Sequence, residues 1–290
     1  MNRENKKKSF EKGYYKTHAC NDSFTCKVCG RIVVPEGAGT DHRNHCPNCL
    51  SSLHVDEEPG DRQADCGGIM EPVAVWVRRD GEWAIVHRCR KCGKMSSNRV
   101  AADDNPMKLM AVTLGCGDAF HLVPRAVALC TTGLASYTAT LGIGKLVTSI
   151  TMTAFYVLLY YVWRVRYQIS GKAGITTAVW VLSAARVLLC LMPQNAWTSA
   201  SAPLSWGIYR NIPFALLGLL LIVLFFRSAK ASKDQPFRWL WLTVVLSFAC
   251  YLPVVLFADV VPAIGALMIP KTCAYVWTVV IGYRAMKGKK

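Results

Sequence analysis

A small β-rich zinc-ribbon domain followed by an all-α polytopic membrane bundle of six or seven helices is the fold class that this sequence predicts. Three observations carry the expectation: Cys26-x2-Cys29 and Cys46-x2-Cys49 with sixteen residues between them, a break in composition near Asn105, and an alternation of basic and uncharged connections across the apolar remainder. The expected organisation is a basic polar tail over 1–22, the ribbon over 23–105 and the membrane part over 106–290.

Charge divides the chain at the same place. Residues 1–105 hold 17 Lys and Arg against 15 Asp and Glu, whereas 106–290 hold 17 basic residues against only Asp118, Asp234 and Asp259. Nearly all of the formal net charge of +16 therefore sits in the apolar part, where membrane proteins use Lys and Arg to fix loop orientation. Residues 17–105 carry eleven basic against thirteen acidic residues, which argues against a ribbon that grips nucleic-acid phosphates. Met1–Tyr15 is charged and lacks an apolar core, so no cleaved secretory signal is expected. The cysteines then read as reduced thiolates on a metal rather than as disulfides.

Two turns that each present a pair of sulfurs let a zinc ion complete a tetrahedron, so Cys26, Cys29, Cys46 and Cys49 are the first ligand set. Downstream, Pro72 to His87 reads as a hairpin. Val73, Val75 and Val77 alternate before the turn dipeptide Asp80-Gly81, and Trp83, Ile85 and His87 alternate after it. Around the hairpin stand Cys66, Cys89 and Cys92, three ligands of a second unit with one missing. His54 is the first candidate to supply it, because His54-x11-Cys66 can face Cys89-x2-Cys92. His87 is the second, since alternation along its strand aims its ring as it aims Cys89. A single zinc with Cys66 as a buried small hydrophobe is the simpler alternative. Cys20 reads as a free thiol. Four protein ligands close a site and make it structural, whereas catalysis needs an open position and a nearby base. Glu82 and Asp56 are read as solvated surface acids.

The run Arg43-Asn44-His45-Cys46-Pro47, together with Cys49-Leu-x-Ser-x-His-Val-Asp56, Cys66-Gly-Gly, His87-x-Cys-x-x-Cys-Gly93 and Asn98-Arg-x-Ala-x-Asp-Asp-Asn-Pro106, resembles the RNHCP domain family. The resemblance covers about residues 23–110 and implies a small bacterial zinc-ribbon-like domain of unassigned activity. The apolar extension is a departure from that family's small soluble form.

Asn105-Pro106 starts a helix, Asn as the cap and Pro at the first turn, and Pro124 is expected to end it near Leu122. Carrying Lys108, Asp118 and His121, it reads as re-entrant, interfacial or a marginal span. Five stronger spans follow at Leu146–Trp163, Ile175–Met192, Tyr209–Phe226, Phe237–Phe257 and Pro262–Tyr283, and the charge-free Ala126–Gly144 is a sixth. Arg164, Arg166 and Lys172 make one basic connection; Arg227, Lys230, Lys233 and Arg238 make the next; Arg284, Lys287, Lys289 and Lys290 make the tail. Connections 193–205 and 258–261 carry no basic residue, which places the basic ones and the C-terminus in the cytoplasm. Counting back through six spans leaves the ribbon inside too, with Lys145 on the wrong side. A spanning 107–124 segment would add a seventh crossing and move the ribbon outside.

Charges within the spans are the remaining candidates, because ionisable groups are expensive in lipid. Asp118 and His121 share a helix face with Arg125, and Arg186 and Lys271 lie deep in their spans. They either brace the bundle, Arg186 pairing with Asp118 or Asp259, or form a ligand or proton site. A retinal-type lysine lacks a counter-ion in the 146–163 span, and a histidine-clustered hydrolase lacks histidines. The expected protein is therefore a multi-pass protein of a bacterial inner membrane, embedded in the lipid bilayer. Its cytosolic zinc domain is a non-enzymatic binding or sensing module that presents a surface to a cytosolic protein partner. An ion-coupled permease using Asp118, Arg186 and Lys271, and a zinc-dependent enzyme, are the alternatives. Nothing in the residues fixes the ligand or the oligomeric state.

Overall fold

The computed structural model describes residues 18, 22–34, 36, 38–39, 42–58, 63–79, 81–131, 133–199, 202–257 and 260–287. Cys20 and Asp259 lie outside them. The chain forms two compact units, Met1–Cys116 and Gly117–Lys290.

The described residues of the first unit carry two sheets. Strands β1 (Phe24–Thr25) and β2 (Ile32–Val33) pair antiparallel with Phe24 opposite Val33. Strands of two residues cannot bury a core of their own. The side chains that close over them are Cys26, Val33 and Cys46, with Phe24, Cys29 and Cys49 beside them, so this core is mostly sulfur. The second sheet is a meander of β3 (Ser52–Leu53), β4 (Ile69–Val77), β5 (Trp83–Cys89) and β6 (Met95–Arg99), antiparallel throughout. At its centre is the hairpin, with Val75 opposite Ile85 and Val77 opposite Trp83, turning through Gly81 at φ 84°. Asp80, the other half of the turn dipeptide, is outside the described residues. A bulge falls between Pro72 and Ala74, leaving Val73 unpaired. Proline has no N–H for the ladder, so an irregular pairing there loses little.

Six α-helices follow among the described residues: α1 (Pro106–Cys130), α2 (Thr138–Arg166), α3 (Ala173–Leu191), α4 (Leu204–Ala231), α5 (Leu240–Phe257) and α6 (Met268–Lys287). Asn105 caps α1 as expected, its Oδ1 accepting from the Met107 N–H at 3.0 Å and from the Lys108 N–H at 3.3 Å. Five of the described segments are long and apolar enough to cross a membrane: α2, α3, α4, α5 and Ala263–Ala285.

Two expectations fail here. The first helix does not end near Leu122 but runs through Pro124 to Cys130, and Ala126–Gly144 is not a span. Those residues are the end of α1, a turn through Gly133 at φ 87°, a short 3-10 segment (Leu134–Tyr137) and the start of α2. Proline is tolerated inside apolar helices, where neighbouring groups satisfy the freed carbonyl, and Pro213 and Pro253 also lie within helices. The break comes instead at a glycine in a backbone conformation that other residues avoid.

Within the second unit the helices approach through small residues. A Cβ on Gly218 would collide with the ring of Phe248, so α4 and α5 can sit this close only because that position is glycine. Near the end of α2, Arg166 forms two 2.8 Å hydrogen bonds with Asp234 in the α4–α5 connection, and Trp163 Nε1 donates to Ser228 Oγ at 2.9 Å. Burial alone would raise the Asp234 carboxyl, but Arg166 beside it holds it below its ordinary value.

Candidate metal centres

Three Cys-x2-Cys segments fold into the same turn. The N–H of Gly30 donates to Cys26 O at 2.8 Å, that of Leu50 to Cys46 O at 2.8 Å and that of Gly93 to Cys89 O at 2.9 Å. The first cysteine of each turn donates in its turn to the carbonyl five residues on, at 2.8 to 3.0 Å. The fifth position must adopt positive φ, which Gly30 (72°) and Gly93 (78°) do freely. Leu50 does it at φ 60° while wholly buried, a strain of about 1–2 kcal/mol that its burial has to offset.

The turns gather sulfur into two groups. Cys26, Cys29, Cys46 and Cys49 form one, and His54, Cys66, Cys89 and Cys92 form the other, each with its ligand atoms within 4.8 Å of one another. In the first, Cys26 and Cys49 Sγ are 3.5 Å apart and Cys29 and Cys46 Sγ 3.6 Å. In the second, Cys66 and Cys89 Sγ are 3.6 Å apart, and Cys92 Sγ is 3.2 Å from His54 Nδ1. A tetrahedron with metal–sulfur bonds near 2.3 Å has edges of about 3.8 Å, whereas a disulfide would need about 2.05 Å. Both groups fit a tetrahedral thiophilic ion, and all eight side chains are the candidates the sequence offered.

Proton affinity is divided unevenly within each group, with Cys26 and Cys92 also raised. Hydrogen bonding from Cys46 brings Cys49 down to about 4, while the same contact and burial push Cys46 up. Burial tends to raise Cys89, but the backbone N–H groups of Cys92 and Lys91 outweigh it and bring it down to about 6.

His54 enters the second group from the end of β3. Its N–H donates to Gly68 O at 2.8 Å, and the Gly67 N–H donates back to His54 O at 2.9 Å, which sets Cys66 opposite it. Gly68 is a functional position that the sequence reading passed over. A Cβ there would lie 2.7 Å from Cys89 Sγ and 3.3 Å from Cys66 Sγ, so the sulfurs converge only over a glycine. The Cys66-Gly-Gly run was the available signal. His87 stands apart from both groups. Its Nε2 lies 2.7 Å from Leu50 O, and because a carbonyl can only accept, Nε2 carries the proton and Nδ1 accepts from Asn98 Nδ2 at 3.3 Å. Burial lowers His87 to about 4, keeping it neutral for that arrangement.

Around the first group lies a buried ionic clamp. Arg43 is paired with Asp103 and reaches Asp104 at 3.5 Å, and His45 Nε2 is 2.9 Å from both Asp104 carboxylate oxygens. Asp104 Oδ2 also accepts from the Ala101 N–H at 2.8 Å, and Asn105 N–H donates to Pro47 O at 2.8 Å. The clamp ties residues 43–47 to residues 101–105, just before α1.

The intramembrane candidates do not assemble as a salt bridge. Arg186 Nε and Nη1 are buried with no hydrogen-bond partner among the described residues, so the expected pairing with Asp118 is not made. Its other expected partner, Asp259, is outside the described residues. Lys271 and Asp118 lie within each other's field. His121 Nδ1 is buried, also without a hydrogen-bond partner among the described residues, near the charges of Arg125, Lys145 and Lys271.

Residues 21–110 match the family model described as the RNHCP domain, and no family covers the rest of the chain. No curated protein and no solved structure matches it.

Proposed function

We propose that the β-rich unit is a structural two-zinc module, non-enzymatic, which a helical membrane domain tethers to the cytosolic face of a bacterial inner membrane. The observation that carries this reading is the pair of four-ligand groups. Four protein donors leave no open position for water or substrate, and sets of four cysteines, or of three cysteines and a histidine, are those of structural zinc. Zinc would be held by Cys26, Cys29, Cys46 and Cys49 in one group and by His54, Cys66, Cys89 and Cys92 in the other. There it supplies fold stability, which the sulfur-rich core around β1 and β2 lacks on its own. The module's role is to bind or sense through its surface.

Orientation follows from counting. The connections bearing Arg164, Arg166 and Lys172 and then Arg227, Lys230 and Lys233 are basic, as is the tail, and the positive-inside rule puts them in the cytosol. With α1 as a sixth crossing, an even number returns the β-rich unit to the same side. Its 25 residues give about 37 Å, enough for a bilayer core, although Lys108, Asp118, His121 and Arg125 lower its hydropathy. Reduced thiolate chemistry favours the same side.

Native mass spectrometry of the full chain should find two zinc ions. One zinc, another metal or none would overturn the assignment. Labelling of an N-terminal and a C-terminal tag in intact cells should find both protected, and an accessible N-terminal tag would put the module outside.

A further inference from the structure

Two cations are sealed inside the helical unit, Arg186 on α3 at 2 % exposure and Lys271 on α6 at 6 %. Arg186 lays its guanidinium 3.4 Å from the centre of the Phe214 ring. Lys271 holds Nζ 5.1 Å from the Tyr251 ring centre and 5.2 Å from that of Tyr275. Tyr156 completes the surround, 4.8 Å from Phe214 by ring centres. The two cations lie in one another's field, and among the described residues the one carboxylate acting on Lys271 is Asp118. The groups acting on Arg186 include Tyr251, Cys190, Tyr275 and Tyr156, none of them a carboxylate.

Stacking occupies the flat face of a guanidinium and leaves its in-plane N–H groups free to donate. At Arg186 those groups are unmet: Nε and Nη1 are buried without a partner among the described residues. Aromatic faces offset a buried cation only in part, and a buried charge is retained where something of opposite sign completes it. Among the described residues, these two cations and Asp118 leave one positive charge to complete.

We propose that Arg186 and Lys271, set among Tyr156, Phe214, Tyr251 and Tyr275, form a binding site for a small monovalent anion, a halide or a short carboxylate, held on the Nε and Nη1 hydrogens of Arg186. The site draws on five helices, α2 to α6, so occupying it fastens the bundle together. It goes beyond the zinc module and does not depend on the metal or on the orientation.

The test uses the full-length protein in detergent, melted by helical ellipticity at fixed ionic strength, with bulky gluconate exchanged for chloride in one arm and acetate in the other. A saturable rise in Tm is expected, about 5–10 °C at a hundredfold excess over the dissociation constant, and the arm that saturates at lower concentration identifies the anion. Arg186→Gln and Lys271→Gln should each abolish the rise; if the first fails to fold, the second decides. Asp259→Asn should leave the rise unchanged. No rise in the wild type, or a rise that survives both glutamine variants, overturns the proposal. So does a rise that appears only in Asp259→Asn, which would make Asp259 the counter-ion.

Discussion

Arg43 and Arg186 are equally buried, each at 2 % exposure, and their surroundings are opposite. Arg43 sits in the β-rich unit against Asp103 and Asp104, with His45 on the far side of Asp104. Arg186 sits in the helical unit against the Phe214 ring, with two N–H groups unmet among the described residues. A charge answered by carboxylates from its own chain is architecture, and its removal damages the fold. A charge answered by aromatic faces keeps donors in reserve for something else. The same residue type thus reads as a brace in one unit and as a receptor in the other.

The strongest way to break this contrast is to withdraw metal. A structural zinc site in a small finger is worth about 10–16 kcal/mol at neutral pH, so a strong chelator should unfold the β-rich unit and open the Arg43 clamp. Helical ellipticity should barely change. A parallel loss of helix would show that the two units are not independent in this respect.

Next in size is Arg43→Leu, which takes the guanidinium from the buried Asp104 as well as from the exposed Asp103. A cost of about 3–5 kcal/mol is expected, read as a lower denaturant midpoint for zinc release to a chromogenic chelator. Arg186→Gln should leave that midpoint alone. Gly68→Ala should follow, at about 1–3 kcal/mol, because its methyl must displace the sulfurs of Cys66 and Cys89. The zinc ion at the His54, Cys66, Cys89 and Cys92 group should become the more labile of the two.

The smallest effect belongs to Asp234→Asn. It removes the Arg166 pair at a cost of about 1–2 kcal/mol, which lowers the helical melting point by a few degrees. The sign with pH follows from the lowered carboxyl. The contribution is complete above the ordinary value of 3.8 and fades as pH falls below it, so the difference between wild type and variant should be flat from pH 5 to 8.

Much of this was legible because cysteine spacing is local. Cys-x2-Cys prescribes its own turn, and the Val75–Ile85 hairpin alternates visibly on both sides of Asp80-Gly81. The clamp was not legible as a contact, since Arg43 and Asp103 are 60 residues apart and a single polar pair leaves no periodicity. The choice between His54 and His87 was open in sequence because both stand near strand ends. Only the pairing of His54 with Gly67 and Gly68 places one imidazole at the sulfurs, while the other turns to Leu50. The membrane part was mis-segmented where polarity and geometry disagree. Ala126–Gly144 lacks charge and so resembles a span, yet the chain turns at Gly133. Pro124 resembles a stop, yet the helix accommodates it.

One hydrogen bond bears on how metal is taken up. Leu50 follows Cys49 of the first group, and His87, which donates to its carbonyl at 2.7 Å, stands two residues before Cys89 of the second. The carbonyl is aimed by the left-handed turn that binding at the first group would rigidify, and the ring is carried by the strand that leads into the second. Filling either group should therefore ready the other. Native mass spectrometry at one zinc ion per chain checks this coupling: the singly loaded species should fall below the half that independent sites would give.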